Sequence, residues 1–294
     1  MVEARFGGVL VPNVTPFKDG EIDEPSLRRL VDYLVDTGAT GLVPCGTTGE
    51  SATLSHDEHV RVIGVTTEQA AGRVPIIAGV GTNDTRETIQ ILARAEELSI
   101  DGYLVVCPYY NRPSQEGIIE HFRAVSENTD RPIIIYNIPA RTGRNITVET
   151  IVELSKIPNV VGVKDASGDI EQAMNIIART SNFSVLSGED HLLFPLCCLG
   201  GSGGILASAH VLANEFCELC QSSATGDMER ARALHYRLLP LVRAMFKEPN
   251  PAGAKAAMKL LGVIDSDELR LPLISVSPAC REDIAGVLHG LKLL

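Results

Sequence analysis

One lysine stands apart among the seven in this 294-residue chain. Lys164 ends the apolar run VVGVK (160–164). Lys18 sits in a turn, Lys156 in a polar loop, and Lys247, Lys255, Lys259 and Lys292 in helical patterns near the end of the chain. A lysine that continues a buried strand loses hydration, which disfavours its ammonium form. A neutral amine in a dry cleft attacks carbonyl carbon and forms a Schiff base. The alternative at this point is a lysine paired with Asp165 or another carboxylate. Tyr136 closes the preceding run, PIIIYN (132–137), and a phenol there can move the protons that carbinolamine formation and dehydration require.

Other residues end runs in the same way. Thr47 and Thr48 lie in GTTG, where glycines let backbone N–H groups approach a ligand and two hydroxyls can relay protons or hold a carboxylate. A plain loop turn explains the same residues. Arg141, in the loop PARTG, offers a guanidinium fork for a substrate carboxylate, or is a surface arginine. Tyr109 and Tyr110 follow a further run, so half of the six tyrosines fall at two run ends. His56 and His59 lie one turn apart on a helical pattern and Glu87 opens the next. That grouping suits an ammonium ligand, or is a cap with two solvated histidines. The spacing is not HExxH, so zinc is not expected. No cofactor or metal is called for.

The elements that must position these residues follow one rhythm. The apolar runs are 8–14, 41–45, 74–80, 102–108, 132–137, 160–164, 183–187 and 203–208. Continuous runs of this kind are what strands covered on both faces need. Helical patterns lie between and after them, near 25–37, 56–71, 85–98, 115–128, 148–155, 169–180, 190–198 and 209–223. Ser55 with Glu58 reads as a capping box and Asp84 with Glu87 as its carboxylate variant; Asp23 and Ser114 read as further helix entries. Eight strand–helix units predict an α/β fold, a (β/α)₈ TIM barrel over residues 1–226, with a C-terminal helical appendage over 227–294. A doubly wound sheet is the runner-up, but the loop after the first run, TPFKDGE, lacks a GxGxxG. Active sites of such barrels lie at the carboxyl ends of the strands, where the residues above fall.

Composition narrows the function classes. The net charge of −11 and the absence of Trp disfavour nucleic-acid binding. No apolar run reaches the ~18 residues of a membrane span, and MVEARFGG lacks the order of a secretory signal. A soluble, cytoplasmic chain is expected. Seven cysteines are spread through apolar segments and read as buried thiols in a reducing compartment; Cys217 and Cys220 form a lone CxxC in a helical pattern, with no second pair.

Four segments together carry a resemblance: GTTGESATL (46–54), YYNRPSQEG (109–117), YNIPARTG (136–143) and GVKDASGD (162–169). With EPNP (248–251) and LRLPL (269–273), they resemble the dihydrodipicolinate synthase and N-acetylneuraminate lyase family almost end to end. These are class I aldolases on a (β/α)₈ barrel. Thr47-Thr48 and Arg141 are similar to the synthase branch, since the lyase usually has Ser-Thr and lacks the arginine. The resemblance implies condensation of pyruvate with L-aspartate 4-semialdehyde, in lysine biosynthesis through diaminopimelate. It implies a Schiff base on Lys164, general acid–base work by Tyr136, and a relay through Thr47 and Tyr110, the latter from a neighbouring subunit. Thr48 would hold the pyruvate carboxylate and Arg141 the second substrate. Gly188 and Ile205 would lend backbone groups. A homotetramer follows. Ser51, Ala52, His56, His59, Asn83, Glu87 and Tyr109 resemble the residues with which some members bind inhibitory L-lysine at a subunit interface.

The chain also departs from the family's usual pattern. GGILASAHV (203–211) replaces VISVTANV, KDASGD replaces KEATG, and Ala252-Gly253 is unusual. Competing readings are a sialic acid lyase or 2-keto-3-deoxy acid aldolase, a phosphate-handling barrel isomerase, and a barrel kept as a sensor. The loops SGED and SAH carry too little glycine for the phosphate site, and a sensor would not need both Lys164 and Tyr136.

Overall fold

A computed structural model describes residues 6–294 of the chain. Residues 1–5, on which part of the leader-peptide reading rests, lie outside it. Eight parallel strands form one sheet: β1 (Gly8–Val11), β2 (Gly41–Leu42), β3 (Ile77–Gly79), β4 (Gly102–Val106), β5 (Ile133–Asn137), β6 (Val160–Asp165), β7 (Ser184–Ser187) and β8 (Gly203–Ile205). Their order is β2-β1-β8-β7-β6-β5-β4-β3, and a parallel bridge from Leu42 to Ile76 brings the two ends of the sheet together. The sheet is thus a closed barrel, which removes its edges.

All the strands except β6 are shorter than the apolar runs that announce them. Five of the runs continue past the last residue of their strand into the loop at the barrel mouth, as at Pro44 and Cys45 after β2. Both faces of the strands are buried and alternate with period two. Val105, Ile135, Val163 and Val185 face the helices in a large outer core, while Leu104, Ile134, Tyr136, Leu186 and Ile205 share the inner cluster. Register fixes the rest: Ile134 pairs with Gly162, and Tyr136 with Lys164, which in turn pairs with Leu186. Lys164 therefore points into the barrel.

Helices begin where their caps place them. Asp23 accepts from the Ser26 N–H, Ser114 from Gly117, and Ser55 with Glu58 forms the reciprocal capping box ahead of α2 (His56–Ala70), which follows α1 (Glu24–Asp36). Asp84 caps α3 (Thr85–Ala95) through the Arg86 N–H, but Glu87 does not reach back. Its carboxylate is taken by His56, so the expected reciprocal box is not formed. The expected loop after Tyr136 is instead a helical turn, Pro139–Thr142, started by proline and stopped by Gly143 in left-handed backbone.

The helix Ala209–Thr225 ends at Gly226, and three helices follow among the described residues: Met228–Met245, Ala252–Leu260 and Pro278–Gly290. The first two meet closely enough that a Cβ on Gly253 would collide with the Met245 carbonyl. That contact accounts for the glycine at 253. No helix of the described residues is long and apolar enough to cross a membrane.

The thiols are not uniformly buried. Cys45, Cys107, Cys197 and Cys280 are, Cys217 and Cys220 are half-buried, and Cys198 is exposed at the end of a short helix. Cys217 and Cys220 point apart: the first donates to the Gly38 carbonyl, the second lies 3.6 Å from Cys197.

Candidate active site

The carboxyl ends of β2 to β5 border a cleft of about 420 Å³. Its lining includes Thr47, Tyr136, Arg141 and Asn250, and it runs on to Ser51, Ala52, His56, His59, Glu87 and Tyr109. Among the residues read from the sequence as one effector group, only Asn83 is missing from this lining. Its carbonyl accepts from Asn111 instead.

Lys164 is 6% exposed, and its Nζ lies 4.1 Å from the centre of the Tyr136 ring. It makes no ion pair among the described residues. The neighbouring Asp165, the partner that an ordinary buried lysine would use, is engaged elsewhere. One oxygen accepts from Asn137 at 2.9 Å and from Gln172 at 3.3 Å, the other from Ser167 at 2.8 Å. Asn145 joins the network by accepting from Asn137 and donating to Gln172. Burial holds the Asp165 carboxyl above its ordinary range in spite of these bonds. The shorter side chain of KDASGD thus closes a polar network that pins the tips of β5 and β6, leaving the lysine amine free. Two more carboxyls near the lysine, Asp190 and Glu189, are raised by burial as well, and Asp190 accepts from the Ser208 N–H at 2.6 Å.

Gly188 meets the Lys164 side chain through its bare backbone. A Cβ there would lie 2.7 Å from the Ala166 Cβ and 3.1 Å from the Lys164 Cε. Ile205 is buried with Tyr136 in the inner cluster. Thr48 is buried, and its hydroxyl accepts from Asn250 at 2.9 Å. The loop holding Thr47 and Thr48 is tightly wound. Cys45 and Glu50, at its two ends, take left-handed backbone with φ of 58° and 56°, a conformation that non-glycine residues hold only when their surroundings enforce it. Thr15 adds a bond from its hydroxyl to the Gly49 carbonyl. Arg141 is exposed on the cleft wall, where the helical turn aims it.

Tyr110 is not gathered into this site. It is 89% exposed with φ of 71°, projecting from the chain that carries it. Tyr109 lines the cleft and is half-exposed.

The histidines differ from the expected solvated pair. His56 donates to Glu87 at 2.8 Å and is exposed. His59 is buried and donates from Nε2 to the Gly79 carbonyl at the end of β3. Burial lowers its pKa, so it is a neutral structural tie. The departure at 203–211 has a similar role. His210 is fully buried, accepts from the Val14 N–H at Nε2 and donates from Nδ1 to the Ala207 carbonyl.

Three residues to which the sequence reading gave no role complete the site. Asn250 reaches Thr48 from the EPNP segment, and Glu50 and Lys255 meet beneath the loop with both side chains wholly buried. Lys255 is thus buried more deeply than Lys164. Its place in a helical pattern hid this, because nothing in local periodicity reports a contact 205 positions away.

Comparison with known proteins gives a consistent picture. Residues 5–290 match the model of the dihydrodipicolinate synthetase family. A 4-hydroxy-tetrahydrodipicolinate synthase of Syntrophus aciditrophicus is 48% identical over 290 residues, 98% of this chain and 99% of that protein. A lysine-bound enzyme of Cyanidioschyzon merolae superposes with a TM-score of 0.96 at 38% identity, covering 98% of this chain and 99% of its own. A dihydrodipicolinate synthase of Acinetobacter baumannii complexed with pyruvate superposes at 0.94 with 38% identity, again over 98% and 99%.

Proposed function

The chain belongs to the dihydrodipicolinate synthetase family, and from that premise we propose that it is a lyase condensing pyruvate with L-aspartate 4-semialdehyde to 4-hydroxy-tetrahydrodipicolinate. The observation that carries this is the buried, unpaired amine of Lys164 beside the Tyr136 ring.

The chemistry proceeds as a class I aldol condensation. Lys164 Nζ adds to the C2 carbonyl of pyruvate, forming a C–N bond, and the carbonyl oxygen leaves as water to give the iminium. Loss of a C3 proton gives the enamine, whose C3 then attacks the aldehyde carbon. The amino group of the semialdehyde portion displaces the lysine at C2 and closes the ring. Each addition and elimination moves a proton, and we assign that work to Tyr136 with Thr47, both of which line the cleft. Thr48 suits the pyruvate carboxylate and Arg141 the carboxylate of the second substrate. Gly188 and Ile205 give the reacting carbons room and backbone polar groups.

Tyr110 fits the relay only if a second copy of the chain brings it to the mouth. Its exposure here supports that reading, and a homotetramer is the assembly we assign. L-lysine is the effector we assign to the end of the cleft lined by Ser51, Ala52, His56, His59, Glu87 and Tyr109, with Asn83 beside it. The Glu87 carboxylate there suits an ammonium group.

A coupled assay with both substrates tests the function. Consumption of the semialdehyde dependent on pyruvate is expected; turnover of pyruvate adducts with sugars and none with the semialdehyde would assign the chain to the lyase branch instead.

A further inference from the structure

The loop that carries Thr47 and Thr48 is tied at two points to the C-terminal helical region. At one, Asn250 donates from Nδ2 to Thr48 Oγ1 at 2.9 Å. At the other, Glu50 pairs with Lys255, and neither side chain has any exposed surface. The second oxygen of Glu50 accepts from the Arg270 N–H at 3.1 Å. Lys255 also donates to the Glu268 carbonyl at 2.7 Å and stands 4.2 Å from the centre of the Phe17 ring. The two tethers converge, because Asn250 lies just before the helix Ala252–Leu260 that carries Lys255.

Stability alone does not account for a pair placed so deep. Desolvating two charges offsets most of their attraction, and apolar residues of similar size in such places are often as stable. A charge pair differs from an apolar contact in direction: it fixes where the Glu50 backbone sits. Glu50 is held in left-handed backbone two residues from Thr48, so the pair sets the shape of the loop end. We propose that Glu50, Lys255 and Asn250 are positioning residues that clamp the Thr47–Thr48 loop to the C-terminal helical region and so set the affinity for pyruvate. The proposal rests on the reading of Thr48 as the carboxylate-binding residue. It makes the helical region part of the site and not an outer ornament of the barrel.

The test compares the parent with Glu50→Leu/Lys255→Met and with Asn250→Ala. The double variant removes the charges together and leaves no orphan ion in the interior; Asn250→Ala cuts the other tether from a half-buried position. Each is measured for melting temperature, for KM and kcat toward pyruvate, and for borohydride capture of pyruvate on Lys164. The expected result is a KM for pyruvate raised about tenfold or more in each folded variant, a smaller change in kcat, and capture still complete at saturating pyruvate. Parental KM in either folded variant overturns the clamp and leaves that contact as packing. Failure of borohydride capture in the parent itself overturns the Schiff-base reading, a separate outcome from failure of the clamp.

Discussion

Lys164 and Tyr136 are direct neighbours across β5 and β6, and the lysine nitrogen stands 4.1 Å from the centre of the phenol ring. The pair is an outcome of register. A slip of one residue in either strand would turn one of the two side chains into the outer core. The Asn137–Asp165 bond, one position further along the same two strands, resists that slip. The proposed nucleophile and proton carrier are thereby fixed side by side, both almost wholly buried. Two variants separate their roles. Lys164→Ala is expected to show no added mass after pyruvate and borohydride. Tyr136→Phe is expected to bind pyruvate with kcat reduced by roughly 10²–10⁴-fold. A Phe variant with near-parental turnover would remove the phenol from the mechanism.

Two glycines answer differently to the same change. Gly188→Ala places a methyl against Ala166 and the Lys164 side chain, so the expected loss is in chemistry: slower capture of pyruvate and kcat down by about tenfold or more, since small misplacements of reacting groups cost that much. Gly253→Ala drives a methyl into the Met245 backbone, far less able to yield than a side chain. Its expected cost is stability, about 1–3 kcal/mol in urea unfolding. Equal effects of both variants on the melting transition would contradict this division.

Much of the barrel was legible because it repeats. Eight apolar runs at similar spacing announce eight strands, and the strand ends identify the mouth. Lys164 was legible because a charge ending a buried run is a local anomaly. The residues that escaped are those whose role is set by distant contacts. Lys255 sits in a segment, AKAAMKLLG, that looks like any amphipathic helix, and only the fold reveals that its nitrogen ends against Glu50. His59 read as solvated because it neighbours charged residues along the helix, but its face of α2 packs on β3. The helical turn after Tyr136 was hidden because PARTG is too short to show a period. Asp84 did cap its helix, while Glu87 was drawn off by His56, a competition between partners 31 positions apart.

That competition gives a prediction for the effector. The Glu87 carboxylate faces the cleft and holds His56 at 2.8 Å. An incoming lysine ammonium would compete with His56 for the carboxylate, bringing a full positive charge and further donors to it. L-lysine is therefore expected to inhibit the parent, and Glu87→Gln to raise the inhibitory concentration by about tenfold. Identical inhibition curves for parent and variant would remove Glu87 from the effector site.

Two buried histidines make stability depend on pH in a definite window. His210 and His121 are both held by burial at about 4, below the ordinary 6.5. Between those values the unfolded chain binds more protons than the folded one, so stability rises with pH there. The contribution is fully present above pH 6.5 and is lost as pH falls through the window toward 4, by roughly 3 kcal/mol for each ring. Glu58 acts in a lower range: its bonds to Arg270 hold it at about 2, so its contribution persists until pH falls below its ordinary value of 4.5. Urea midpoints followed from neutral pH downward separate the two. His210→Gln keeps an amide able to accept from Val14 and donate to Ala207 but removes the proton site. It is expected to be less stable at neutral pH and to lose less stability between pH 6.5 and 4. An unaltered slope in that variant would show that the ring at 210 is not among the groups that titrate on unfolding.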